Sequence, residues 1–332
     1  MGKRIFSGIV IAVVLFACTA AIIFFCGRQE NNRPLYGLRT TFPVMGTIAS
    51  FTLYVHDEAA FVNAVNSGKE AFERTVKLAN LHDAGSELSR LNATAYQEPF
   101  VCSNELWKLL MRAERAWLES DGLFDISIKP LMDLWGFYRK RKQIPSAAEV
   151  SATLSKCGFS KLVLDREKQT VKFSVPGMAL DLGGIAKGYA VDRACDAVMQ
   201  SGISCGVIDL GGNLKLLPST PPGKNFYTVG VRDPAKRGAV LKDTLELPGD
   251  CAVATSGDYE RFVTFAGRRY GHIINPATGS PEANAAATVV AESALDADIY
   301  STSAYLGKEK FAAKLKSLHP EIKIYFVPAT DN

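Results

Sequence analysis

Hydrophobic positions along this chain recur with two different periods, and each change of period marks a change of element. Thr47 to Val55 alternates apolar and polar residues, the pattern of a strand with one covered face. Residues 58–79 switch to helical spacing, with Phe61, Ala64, Val65, Gly68, Phe72, Val76 and Ala79 on one side. A second helix is predicted from Asn104 to Glu119, with Ser103 as its N-cap and Leu106, Leu109, Leu110, Ala113 and Trp117 turned inward. Lys161 to Asp165 and Thr170 to Val175 read as strands joined by a polar turn. A helix from Ile185 to Met199 follows, with Val191, Ala194, Cys195 and Val198 at inward spacing. Beyond it, strands at 205–210, 226–231, 260–266, 286–292 and 322–327 mix with short helices near 296–306 and 308–318. Strands mostly follow strands, which predicts an α+β fold, a mainly antiparallel sheet with flanking helices. No internal repeat or low-complexity block interrupts residues 40–328, so that span reads as one domain.

The N-terminus has a different pattern. Lys3 and Arg4 precede an uncharged, largely apolar stretch from Ile5 to Ala17, of signal-peptide length. Leu15-Phe16-Ala17-Cys18 resembles a bacterial lipoprotein signal, with Cys18 as the residue that would take the lipid. The apolar run continues to Phe25, 21 residues in all, so the segment also reads as an uncleaved anchor. Cys26 is a weaker lipidation site because bulky Phe25 precedes it. Residues 1–26 are therefore read as signal or anchor, and 27–39 as a polar tether. Either way the remaining chain is expected outside the cytoplasm, tethered to a bacterial membrane and facing the periplasm.

Charge and cysteines exclude more than they suggest. Removing residues 1–17 removes Lys3 and Arg4 and no acid, so the formal charge falls from +4 to +2. That balance gives no reason to expect a nucleic-acid partner. Seven cysteines (18, 26, 102, 157, 195, 205 and 251) form no CxxC and no zinc-type spacing. Cys195, Cys205 and Cys251 sit in apolar segments and read as small buried hydrophobes.

Four patches suit chemistry better than packing. In Leu180-Asp181-Leu182-Gly183-Gly184-Ile185-Ala186-Lys187-Gly188 a strand is expected to end in an acid, two glycines allow close backbone approach, and a helix opens with a lysine. Free amides and an ammonium group at a helix N-terminus suit a phosphate; the bland alternative is a tight turn. In Leu295 to Thr302, Asp298 and Thr302 lie one helical turn apart and offer hard oxygens to Mg²⁺, or else Asp296 caps the helix and Asp298 is merely solvated. His272-Ile273-Ile274-Asn275-Pro276-Ala277-Thr278-Gly279 places a histidine before an Asn-Pro turn. Ala254-Thr255-Ser256-Gly257-Asp258-Tyr259 reads as a small-polar turn with an acid.

These patches, with Thr40 to Thr47, Ser86-Glu87-Leu88-Ser89-Arg90-Leu91-Asn92 and Gly122-Leu123-Phe124-Asp125-Ile126-Ser127, resemble the motif series of the ApbE-type FAD:protein FMN transferases, in that family's order and over roughly residues 40–310. The resemblance implies a T-fold-like α+β architecture, FAD as substrate and Mg²⁺ held by oxygens. It implies Asp298, Thr302 and the Gly184 carbonyl as metal ligands, with Ser301 as a neighbour. Met45, Leu123, Phe124, Asp125, Asp181 and Lys187 would line the FAD site, with His272 and Ile273 beside the reacting phosphate. His82 takes the place of a tyrosine that commonly stacks on the flavin in the family, which favours turnover over tight storage.

The implied reaction joins FMN to a threonine or serine and releases AMP. His272 is the expected base, Lys187 an electrostatic partner and Asp258 the next base in line. The family's acceptor pattern, Asp-x-x-(Ser/Thr)-Gly-Ala-(Ser/Thr), is absent from this chain, so the acceptor is expected to be a separate flavoprotein, such as one in a redox membrane complex. Two alternatives stay open at this point: an FAD pyrophosphatase yielding FMN and AMP, and a non-catalytic flavin-binding lipoprotein.

Overall fold

Strand β1 (Tyr36–Val44) runs antiparallel to β2 (Thr47–Val55) in the computed structural model, which describes residues 34–232, 241–257, 261–283 and 286–327 (of 241 and 242, the backbone only). Tyr36 to Arg39, read from sequence as the end of the tether, belong to this strand and pair with Val55 to Thr52. The anchor, Cys18 and Cys26 lie outside the described residues. Among the described residues no helix is long and apolar enough to cross a membrane. Met45 and Gly46 turn the hairpin with φ of 51° and 72°, the left-handed pair that a two-residue type I′ turn requires. Methionine holds that conformation at a cost of roughly 1 kcal/mol, a strain that marks the turn for attention.

The remaining elements, in chain order, are α1 (Glu58–Ala79), α2 (Glu87–Thr94), β3 (Phe100–Val101), α3 (Asn104–Glu119), α4 (Lys129–Leu134), α5 (Ala147–Leu154), β4 (Leu162–Asp165), β5 (Thr170–Phe173) and α6 (Ala186–Gln200). After α6 come β6 (Gly206–Leu210), β7 (Asn213–Leu216), β8 (Tyr227–Arg232), β9 (Leu241–Leu247), β10 (Cys251–Gly257), β11 (Phe262–Phe265), β12 (Arg268–Gly271), β13 (Ile274–Asn275), β14 (Ser280–Pro281), β15 (Ala286–Ala291), α7 (Ala294–Leu318) and β16 (Lys323–Val327). The principal sheet has the order β1-β2-β6-β7-β10-β15-β16, with every pairing antiparallel. A small sheet, β3-β5-β4, and the hairpins β8–β9, β11–β12 and β13–β14 complete it. The predicted α+β class with an antiparallel sheet is the observed one.

Helix α1 is capped by Asp57, whose carboxylate accepts the Ala60 N–H at 2.8 Å. It presses onto β2 at Gly68, where a Cβ would stand 2.5 Å from the Phe51 ring. Phe51, Phe72, Leu88 and Leu106 are fully buried in the shared core. Each such side chain contributes about 1.5–3 kcal/mol by leaving water. Ser103 caps α3 as predicted. Of the described cysteines all are free; Cys195 and Cys205 are buried, whereas Cys251 is only half-buried.

Two local expectations change and a third holds. Residues 254–257, expected as a turn, are the second half of β10, deep in the principal sheet and paired with β15 from Ala252 to Gly257. Their small side chains admit α7 against the sheet. The stretch before Asp181 is not a strand but an extended loop, held by the Asn92 side chain. Asn92 donates to the Leu180 carbonyl at 2.9 Å and accepts the Leu180 N–H at 2.7 Å, doing what a neighbouring strand would do. The two short helices expected at 296–306 and 308–318 are both present within α7, divided where expected by non-helical Lys308 (φ 50°, ψ −143°).

Candidate functional site

Helices α6 and α7 cross at Gly188, where a Cβ would lie 2.2 Å from the Ala294 carbonyl oxygen. Only glycine allows this approach, and the site depends on it. Asp192, two turns into α6, reaches across and accepts the N–H groups of Ala294 (2.8 Å) and Leu295 (2.9 Å). It thereby caps the first turn of α7 together with Ser293, which accepts from Asp296. Burial outweighs those two bonds and pushes the Asp192 carboxyl up to about 6.

With the crossing fixed, Asp298 points back at α6. Its Oδ2 accepts the Gly188 N–H at 3.0 Å, and Oδ1 lies 3.3 Å from Lys187 Nζ. The carboxylate side chain is only 5% exposed, so this pairing acts at low screening. Thr302, one turn on, brings Oγ1 to 3.3 Å from Ser256 Oγ on β10. A Cβ at Gly184 would stand 3.1 Å from the Phe124 ring and 3.8 Å from Thr302 Oγ1. Gly184, Phe124 and Thr302 therefore lie together, with Asp298 one helical turn before Thr302. Ser301 sits deeper: it is fully buried, its Oγ 2.9 Å from Ser256 Oγ, and it donates to the Asp298 carbonyl at 2.9 Å.

The oxygen set decides which cation could fit. Among the described residues there is no group of three or more His, Cys, Asp or Glu side chains able to hold a metal. One buried carboxylate with a hydroxyl and a carbonyl does not suit zinc. It suits Mg²⁺, which takes the rest of its octahedron from water and phosphate oxygens.

The other flank is aromatic and charged. Asp181 Oδ1 accepts the Gly183 N–H at 2.7 Å, and Oδ2 accepts the Tyr138 hydroxyl at 2.6 Å. Burial and the adjacent Asp181 push the Tyr138 phenol far above its usual range, so it stays a donor. The Tyr138 ring meets His82 edge-on at 5.6 Å and lies under the Arg261 guanidinium at 5.1 Å. Arg261 also donates to the Phe137 carbonyl at 2.7 Å. His272 follows β12, and its N–H donates to the Arg261 carbonyl at 3.0 Å with Nδ1 3.2 Å from the same oxygen. A carbonyl can only accept, so Nδ1 bears the proton and Nε2 keeps its lone pair. Burial first, then the Lys187 ammonium and the Arg261 guanidinium, lower the His272 imidazole to about 4.

Other expected residues have structural duties. Asp125 accepts the N–H groups of Ser127 (2.8 Å) and Phe159 (2.9 Å), which occupies both its oxygens. Its carboxyl is shifted upward, because burial outweighs those bonds. Leu123 packs at the α7 kink, where a Cβ on Gly307 would come within 2.5 Å of it. Ile273 is buried, and Met45 packs its half-buried side chain on the main core. Asp258 lies outside the described residues. Tyr138 and Arg261 fall in none of the sequence motifs; the only signal was an aromatic run ending in Tyr138 ahead of a basic one.

A profile of the ApbE family matches residues 45–326. A FAD:protein FMN transferase of Klebsiella pneumoniae (strain 342) is 33% identical over 276 residues, covering 82% of this chain and 84% of its own. One of Treponema pallidum (strain Nichols) is 32% identical over 305 residues, covering 86% and 82%. Among solved structures, the ApbE protein of Thermotoga maritima superposes with a TM-score of 0.78 at 29% identity, covering 89% of this chain and 94% of that one. The flavin transferase ApbE of Vibrio cholerae gives 0.77 at 27% identity, covering 90% and 95%.

Proposed function

The chain belongs to the ApbE family and is an FAD:protein FMN transferase, and we propose that it works with Mg²⁺ at the α6–α7 crossing, with His272 as base and AMP as leaving group. The observation that supports this reading most is the meeting of Asp298, Lys187, Thr302 and Gly184 at one buried crossing, electrostatically coupled to a histidine with a free lone pair. Asp298, Thr302 and the Gly184 carbonyl would hold the cation, which when bound supplies Lewis-acid polarisation of the pyrophosphate.

The chain's own residues account for the remaining steps. Lys187 stands where negative charge develops on the phosphate oxygens. The acceptor hydroxyl oxygen forms a bond to the FMN phosphorus, and the bond from that phosphorus to the bridging oxygen breaks. AMP departs with the bridging oxygen. The hydroxyl proton passes to His272 Nε2, while Nδ1–H on the Arg261 carbonyl holds the ring in place. Asp181, oriented by Gly183 N–H and Tyr138, would bind FAD. A second reading, hydrolysis of FAD by water, is favoured by exposed His82, which offers the flavin a smaller platform than a tyrosine.

The test is incubation of the full chain with FAD, Mg²⁺ and a threonine-bearing acceptor peptide, following AMP, FMN and covalently bound flavin. Asp298→Ala should abolish Mg²⁺-dependent cleavage, and Thr302→Ala should weaken Mg²⁺ binding less, since water replaces a neutral ligand. Normal turnover by Asp298→Ala at low Mg²⁺ would refute the cation site. Tethering to a membrane through Cys18, on the periplasmic side, is part of the same proposal. Fatty-acid labelling should disappear in Cys18→Ser and persist in Cys26→Ser.

A further inference from the structure

Resting on the FMN-transfer reading, we propose that a basic rim beside His272 docks an acidic segment of the acceptor protein. Two surface pieces form the rim. The loop Tyr138-Arg139-Lys140-Arg141-Lys142-Gln143-Ile144 has four cations and no carboxylate. Arg141 is spent on Glu149 at 2.7 Å, but among the described residues no carboxylate pairs with exposed Arg139, Lys140 or Lys142. The hairpin β11–β12 also has no carboxylate and exposes Arg268 and Arg269. Loop and hairpin are one unit: the Trp135 ring packs on Phe265 (6.5 Å) and Tyr270 (5.5 Å), and Arg261 donates to the Phe137 carbonyl.

Position distinguishes this rim from an ordinary solvated face. The loop begins at Tyr138, whose hydroxyl donates to Asp181. The hairpin begins beside Arg261 and ends beside His272, so Arg269 lies about 10 Å along the strand from His272. An acceptor is a polypeptide, and chain on both sides of its hydroxyl must cross the surface around His272. A segment of six or seven extended residues spans roughly 20 Å, about twice the distance along the strand from His272 to Arg269. Unpaired like charges gathered there repel one another, and carboxylates on the acceptor would relieve that repulsion while steering its approach. The anionic pyrophosphate already has Lys187 at hand, which leaves the outer cations for a larger partner.

Two synthetic peptides with the same Asp-x-x-Thr-Gly-Ala-Thr core, one flanked by Asp and Glu and one by Asn and Gln, test this with the full chain in detergent. Transfer kinetics are read together with peptide binding by fluorescence anisotropy. The acidic peptide should show a KM about tenfold lower at about 0.05 M salt, with the gap closing at about 0.5 M. Replacing Arg139, Lys140, Lys142, Arg268 and Arg269 together by Gln should raise the acidic peptide's KM about tenfold. It should leave the neutral peptide and FAD within about twofold. Equal KM values for both peptides with the wild-type chain would overturn the proposal without any variant. So would an equal rise in the FAD KM, or loss of binding to phosphatidylglycerol vesicles with peptide binding unchanged, which would give the rim to FAD or to lipid. If neither peptide is modified, the transfer reading fails on its own, and anisotropy still decides whether the acidic peptide binds the rim.

Discussion

Gly188→Ala is the smallest change that should separate the two helices of the site. The added Cβ would stand 2.2 Å from the Ala294 carbonyl oxygen, 2.7 Å from its carbon and 2.8 Å from the Leu295 Cα, all backbone atoms. Ordinary contact needs roughly 3.3 Å, so α6 and α7 must part by about 1 Å. The Gly188 N–H to Asp298 Oδ2 bond, now 3.0 Å, would lengthen to roughly 4 Å and be lost. Overpacking costs about 1–3 kcal/mol and the lost bond to a carboxylate about 1.5–3, against a gain of about 1 from helix propensity. The net loss is about 3 kcal/mol, a fall in Tm of roughly 6–12 °C for a chain of this size.

Function should suffer more than stability. A displacement of about 1 Å at a reacting centre costs about 100-fold in rate. Thermal melting and FMN transfer to a peptide, measured at a temperature where the variant is folded, check both numbers. Gly184→Ala is the contrast: its nearest obstacle, at 3.1 Å, is the edge of the Phe124 ring, which can shift. A Gly188→Ala protein that melts within about 1 °C of wild type and transfers FMN at the wild-type rate would refute this account.

His272 sets a pH expectation. Its imidazole, lowered to about 4 in the fold against 6.5 ordinarily, binds fewer protons folded than unfolded between those values. Stability from this group is therefore full above pH 6.5 and is lost as pH falls towards 4, and His272→Gln should flatten that slope. The acid limb of kcat/KM should likewise be shifted down towards 4, and Lys187→Met, removing a neighbouring cation, should move it upward; an acid limb unchanged in His272→Gln would count against His272 as the base. Tyr138→Phe removes the hydroxyl that holds Asp181 and should raise the FAD KM up to about tenfold with kcat nearly unchanged. An unchanged FAD KM would mean that Tyr138 does not set how Asp181 meets FAD.

What the sequence reveals about this molecule follows the range over which each signal acts. Helices α1 and α3 are legible because burial on one face writes a period into the residues themselves, and caps such as Ser103 act within one turn. Even so, the inward face drifts: Thr75 and Leu78 are buried where Val76 and Ala79 were expected, since the helix period is not a whole number of residues. Strand β10 was illegible for the opposite reason. Ala254, Thr255, Ser256 and Gly257 look like a turn because they are small, and they are small because α7 lies against them, as the Ser256 to Ser301 contact shows. The site divides along the same line. Asp298, Thr302 and Lys187 could be named from motif spacing, but their value comes from pairings that spacing does not encode. Asp298 takes the N–H of Gly188 across 110 positions, and Tyr138 finds Asp181 across 43. A glycine at 188 looks in sequence like one more break at a helix start; in the fold it is the absence of a Cβ that lets a carboxylate from one helix reach the amide and ammonium of another. The chemistry is thus written in residue types, while its geometry is written in what neighbouring elements leave room for.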